Sequence, residues 1–184
     1  YGLAASQLQR IRAAGVPLTV AVDKVAASGG YMMACVANRI LAAPFAVLGS
    51  IGVLAQLPNF HRLLKKHDID FELLTAGEFK RTLTLFGENT EEGRAKFQEE
   101  LEETHALFKS FVSENRPQLD IARVATGEVW YRSQALQEKL VDELKTSDAF
   151  IQQSLAERAV FERTYVHKKN CQKKHSLAAK GPTE

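Results

Sequence analysis

The stretch from Leu18 to Tyr31 constrains this chain more than any other. Residues 18–22 form a short, apolar, partly β-branched run, which reads as a buried strand. Ala26-Ala27-Ser28-Gly29-Gly30 follows, and then the apolar run Tyr31-Met32-Met33-Ala34-Cys35-Val36-Ala37. A buried strand, a turn of small residues and a buried helix, in that order, require a layered α/β arrangement, because neither apolar element can face water. The turn also holds a hydroxyl in place. A serine between strand and helix is exposed yet rigid, and Gly29 and Gly30 let another backbone approach closely. The helix start adds free N–H groups and a positive dipole end. Ser28 is thus a candidate nucleophile, with the Gly29 N–H as its natural oxyanion donor. The same residues also suit an ordinary helix N-cap, so the local pattern leaves both readings open.

The rest of the chain alternates in the same way. Ala4, Leu8 and Ile11 line one face of a first helix, which Gly15 and Pro17 stop. Strands are expected at 39–43, at 51–57 after Gly49-Ser50, and at 70–75. Pro58-Asn59 opens a helix with Phe60, Leu63 and Leu64 facing inward. A long helix starts at Asn89, with Glu92 completing a capping box, and keeps Phe97, Leu101, Phe108 and Val112 at helical spacing until Pro117. Further elements are expected at 121–125 (helix), 129–131 (extended), 133–139 (helix), 140–144 (strand), 148–158 (helix) and 160–166 (strand). The division that follows is one α/β domain over 1–160 and a basic tail over 161–184.

Composition narrows the possible functions. The 184 residues suffice for one domain with a real core. A net charge of +2, with basic residues spread out until the C-terminus, gives no reason to expect nucleic acid. No run of about 20 apolar residues is present. The chain opens on Tyr1 already in a helical pattern, so a piece of a longer protein is expected. Cys35, inside an apolar run, reads as a buried free thiol rather than a disulfide partner of Cys171. None of His61, His67, His105, His167 or His175 sits in an apolar, glycine-rich setting, and each reads as a surface residue or a satisfied core residue. His167, Cys171 and His175 share helical spacing, but Lys168, Lys169, Lys173 and Lys174 would repel a cation. No metal and no cofactor is therefore expected. Trp130 reads as a packing residue, and the phenylalanine stripe of the long helix as core or subunit interface.

Three blocks in order carry a resemblance: Val25-Ala26-Ala27-Ser28-Gly29-Gly30-Tyr31, Gly49-Ser50-Ile51-Gly52-Val53, and Thr75-Ala76-Gly77-Glu78-Phe79-Lys80. Together with Gly127-Glu128-Val129-Trp130 and Leu140-Val141-Asp142-Glu143, they make the chain similar to the S49 peptidase family, above all its single-domain branch. The resemblance implies a crotonase/ClpP-like fold of repeated ββα units, with the N-terminal strands missing here. It implies a Ser/Lys dyad of Ser28 and Lys80, with Ser50 as an auxiliary hydroxyl that positions the amine. It also implies a peptide or protein substrate, lying extended beside Gly52, Val53 and Leu54, and a ring-like homo-oligomer. Membrane association of the full-length protein is implied too, at a bacterial inner membrane with the catalytic domain facing the periplasm. The basic tail could then meet anionic headgroups. Members carry a Ser-Pro-Gly-Gly segment upstream of the helix that opens this chain, and its glycine supplies the second oxyanion donor.

Lysine as a base has a definite energetic requirement. A free amine titrates near 10.4, and bringing it to about 7 disfavours the charged form by roughly 4.6 kcal/mol. Burial can supply that, and Phe79, Leu83, Leu85 and Phe86 are the apolar neighbours available. Two rival activities fit the same fold: an acyl-CoA enzyme with a carboxylate base, which would tolerate loss of Ser28, and a non-catalytic oligomeric scaffold.

Overall fold

The computed structural model describes residues 1–163. Helix α1 (Gly2–Ala13) ends as expected, with Gly15 at φ 77° closing it. Its buried residue is Ala5, not Ala4. Residues 164–184, which hold most of the expected basic tail, the set His167, Cys171 and His175 and the last three residues of the expected strand 160–166, lie outside the described residues; residues 160–163 form no strand.

Two ββ units define the architecture. Strand β1 (Thr19–Val22) and strand β2 (Val25–Ala27) lead into helix α2 (Gly29–Ala34). Strand β3 (Arg39–Ala42) and strand β4 (Val47–Gly49) repeat the pair. β1 lies parallel to β3 with Thr19 opposite Arg39, and β2 lies parallel to β4 with Val25 opposite Val47. Each strand of one unit is thus laid beside its counterpart in the next, which is the expected stacking of ββα units. Then follow helix α3 (His61–Lys66), helix α4 (Glu91–Asn115) and helix α5 (Ile121–Val124). Strand β5 (Val129–Tyr131) adds to β4 antiparallel. After helix α6 (Arg132–Gln137), strand β6 (Glu143–Leu144) extends the other sheet beside β3, and helix α7 (Ser147–Glu157) closes the described chain.

The core lies between the sheets and the helices. Tyr31, Ile40, Leu41, Leu48, Ile51 and Leu140 are fully buried. Each large aliphatic side chain removed from water in this way contributes about 1.5–3 kcal/mol. In β3 the last three residues are all buried, as expected of a strand covered on both faces. Cys35 is a buried free thiol, and desolvation pushes it up to about 12.

One polar latch ties α4 to the sheet. Arg116 follows α4 and is 3% exposed. It grips Asp142 through two hydrogen bonds, of 2.9 and 3.0 Å, and donates to the Lys139 carbonyl at 2.8 Å. Asp142 also accepts the Ile40 N–H at 2.7 Å. Burial pushes the Asp142 carboxyl up, but the bonds from Arg116 and Ile40 outweigh it and hold the group below the usual range. Nearby, the Tyr31 hydroxyl donates to the Leu140 carbonyl at 2.9 Å, which fixes α2 just after Ser28.

Several expected elements differ. The strand expected at 51–57 is absent; the ladder forms one block earlier, as β4 between β2 and β5. Residues 70–75 form no ladder either, and 140–144 shortens to Glu143–Leu144. Phe60 and Leu63 are 41% and 52% exposed instead of facing inward. The α4 cap is Thr90, whose side chain accepts the Gly93 N–H at 3.0 Å. Asn89 instead closes the preceding turn by accepting the Thr84 N–H at 2.8 Å. An asparagine can satisfy only one such geometry at a time, and the turn claims it.

Candidate active site

Ser28 stands where β2 gives way to α2, with φ 52° and ψ −120°. A side-chain-bearing residue at positive φ costs about 1–3 kcal/mol and persists only when its surroundings fix it. Here the Ser28 N–H donates to the Gly49 carbonyl at 2.7 Å, and the Ser28 carbonyl accepts from Met32 at 3.0 Å. The strand-to-helix turn leaves the serine exposed while Gly29 behind it is buried. The Tyr1 ring packs directly over Gly29, in the space a side chain there would need.

A second turned segment lies alongside. Gly49 and Ser50 have φ of 87° and 48°, two successive residues in left-handed conformation. The Ser50 N–H donates to the Glu128 carbonyl at 2.7 Å. Gly49 is required by space as well as by φ, because a Cβ there would sit 2.7 Å from Cδ1 of Trp130. Trp130 therefore packs as the sequence suggests, against the Gly49–Ser50 turn.

These segments share one cleft of about 1080 Å³. Ser28, Gly29, Ser50, Gly52, Val53 and Leu54 all line it. The opposite wall is the face of α4 bearing Thr104, His105, Leu107, Phe108 and Phe111. A hydroxyl at a strained turn, a buried N–H beside it and an apolar wall together suit attack on a carbonyl held in the cleft.

Lys80 is not among the residues lining this cleft. It sits in an exposed loop, its N–H donating to the Gly77 carbonyl at 3.2 Å. Phe79, Leu85 and Phe86 beside it are 46%, 39% and 40% exposed, so no dry pocket closes around the amine within the single chain. His105 is the residue that sequence reasoning left aside. It lies in the cleft wall, with Nε2 3.2 Å from the Ile51 carbonyl. No local signal marks it, since its partner is distant in sequence.

The family model for Peptidase family S49 matches residues 10–160. The chain belongs to that family. A relative from Haemophilus influenzae described as "Probable protease SohB" is 63% identical over 179 residues, covering 97% of this chain and 51% of the relative. Another with the same description, from Buchnera aphidicola, is 58% identical and covers 92% of this chain and 50% of its own length. This S49 chain thus spans about half the length of the curated relatives it matches. Among solved structures, an enoyl-CoA hydratase/isomerase from Marinobacter aquaeolei overlays with a TM-score of 0.44 at 14% identity, covering 84% of this chain and 41% of that one. So loose a superposition carries no argument about chemistry. No helix among the described residues is long and apolar enough to cross a membrane.

Proposed function

We propose that this S49 chain carries the nucleophile centre of a serine endopeptidase. Ser28 Oγ attacks a peptide carbonyl, and the Lys80 amine takes the hydroxyl proton. The Gly29 N–H faces the oxyanion, and the proton passes to the leaving amine. Water then attacks the acyl-enzyme, regenerating Ser28 and releasing the acid. The Ser50 hydroxyl orients the amine, and the substrate lies extended along Gly52, Val53 and Leu54, pairing through its backbone.

The observation that carries this is the serine itself: exposed, at φ 52°, opening a cleft it shares with Ser50 and the Gly52–Leu54 segment. Lys80 reaches Ser28 only in the assembled protein on this account. A ring-like homo-oligomer would supply the surface that dries the loop around Phe79, Leu85 and Phe86. The substrates are membrane-released or periplasmic peptides, and the full-length protein works at the bacterial inner membrane with this domain facing the periplasm. The upstream part of the protein contributes the second oxyanion donor. Loss of such a donor costs about 2.7–4 kcal/mol of barrier stabilisation.

The test is peptide cleavage by the full-length protein with Ser28→Ala and Lys80→Ala made separately. Both are expected to fall to background. Undiminished turnover in either variant removes the dyad.

A further inference from the structure

The turn beside the nucleophile is pinned on two sides by backbone. Ser28 N–H bonds to the Gly49 carbonyl and Ser50 N–H to the Glu128 carbonyl, both at 2.7 Å. The third side is held differently. Among the described residues, one side chain makes a hydrogen bond to the segment Gly49–Gly52, and it is His105, reaching from α4 to the Ile51 carbonyl at 3.2 Å. A carbonyl only accepts, so Nε2 must carry the hydrogen. That assignment holds whether the ring is neutral or charged, because the second proton goes to Nδ1. Ile51 is fully buried, so its carbonyl depends on a partner from the protein.

The segment needs such a hold. Gly49 and Ser50 are successive left-handed residues, and the serine relaxes toward ordinary backbone unless its neighbours prevent it. Relaxation would carry the Gly49 carbonyl away from the Ser28 N–H and turn the Ser50 hydroxyl in the cleft. A displacement of about 1 Å in such a site costs on the order of a hundredfold in rate.

We propose that His105 is a positioning residue of the nucleophile centre: its Nε2–H fixes the Ile51 carbonyl and so keeps the Gly49–Ser50 turn, and through it Ser28, in reactive geometry. It does not carry the proton. This rests on Ser28 being the nucleophile, as proposed above. The test uses the full-length protein with His105→Ala and His105→Gln, since the glutamine amide can donate from a similar distance. Acylation of Ser28 by a fluorophosphonate probe is timed across about pH 5 to 8, the range where histidine titrates, and urea midpoints are measured alongside.

His105→Ala should slow labelling by about tenfold to a hundredfold while the acid limb of the pH profile keeps its position. His105→Gln should recover most of the rate. Wild-type labelling in His105→Ala overturns the assignment. So does a rate loss that glutamine does not restore and that follows the fall in urea midpoint. Disappearance of the acid limb would make His105 a proton carrier and equally overturn it. Failure of the wild type to label at Ser28 sinks the peptidase proposal, and the positioning role with it.

Discussion

A single methyl group at residue 49 probes how the Gly49–Ser50 turn beside Ser28 is built. In Gly49→Ala the new Cβ would stand 2.7 Å from Cδ1 of Trp130 and 3.3 Å from the Glu128 carbonyl oxygen. Two costs follow. Holding an L-residue in left-handed conformation, at the φ of 87° found here, costs about 1–2 kcal/mol. Forcing a methyl against a packed indole costs about 1–3 kcal/mol more. The expected total, about 2–5 kcal/mol, is a large share of the roughly 5–15 kcal/mol that stabilises a domain. Urea unfolding should show a lower midpoint with an unchanged slope. Ser28 acylation should slow as well, because the carbonyl of residue 49 holds the Ser28 N–H. Pairing the change with Trp130→Leu should return the crowding part and leave the backbone part, so the two effects should not add. A loss below about 0.5 kcal/mol, the range of an ordinary surface substitution, would refute this account of the turn.

Two further outcomes follow from the same structure. Asp142→Asn should destabilise the protein by about 1.5–3 kcal/mol at neutral pH, through loss of charged hydrogen bonds to Arg116. The Asp142 carboxyl titrates below its usual 3.8 when folded, so its contribution is complete above that value and is lost as pH falls through the folded pKa. The gap between wild type and Asp142→Asn, followed by urea midpoints, should therefore narrow in acid; a gap that widens there contradicts the latch. Cys35, pushed up to about 12 by burial, should resist alkylation in the folded protein at mildly alkaline pH and react on unfolding. Peptide mapping after alkylation reads this directly, and rapid native-state modification of Cys35 would show that α2 is not packed as described.

What the sequence revealed depended on whether an element makes its own signal. The short apolar runs at β1 and β3 and the helical spacing of α4 announce themselves, and Ser28 stands in the small-residue turn that opens the apolar run of α2. β2 did not, because Val25 is 64% exposed and the strand is otherwise alanine. The expected strand at 51–57 failed for a different reason. Ile51, Val53, Leu54 and Leu57 look more strand-like than Val47-Leu48-Gly49, yet a ladder needs a partner, and β4 is the stretch that lies between β2 and β5. The stacked ββ units have no matching sequence repeat, since backbone pairing sets their relation. His105 was illegible because its bond spans 54 residues and nothing near it in the chain hints at Ile51. The position of Lys80 relative to Ser28 is likewise a property of how its exposed loop packs, which residue order does not encode.

The most direct test of the central claim is to locate the covalent adduct. Full-length protein treated with a fluorophosphonate should carry one adduct, mapped by mass spectrometry to Ser28. Lys80→Ala should remain folded, yet label far more slowly at neutral pH. An adduct on another residue, or full-speed labelling of Ser28 without Lys80, would contradict a serine activated by that amine.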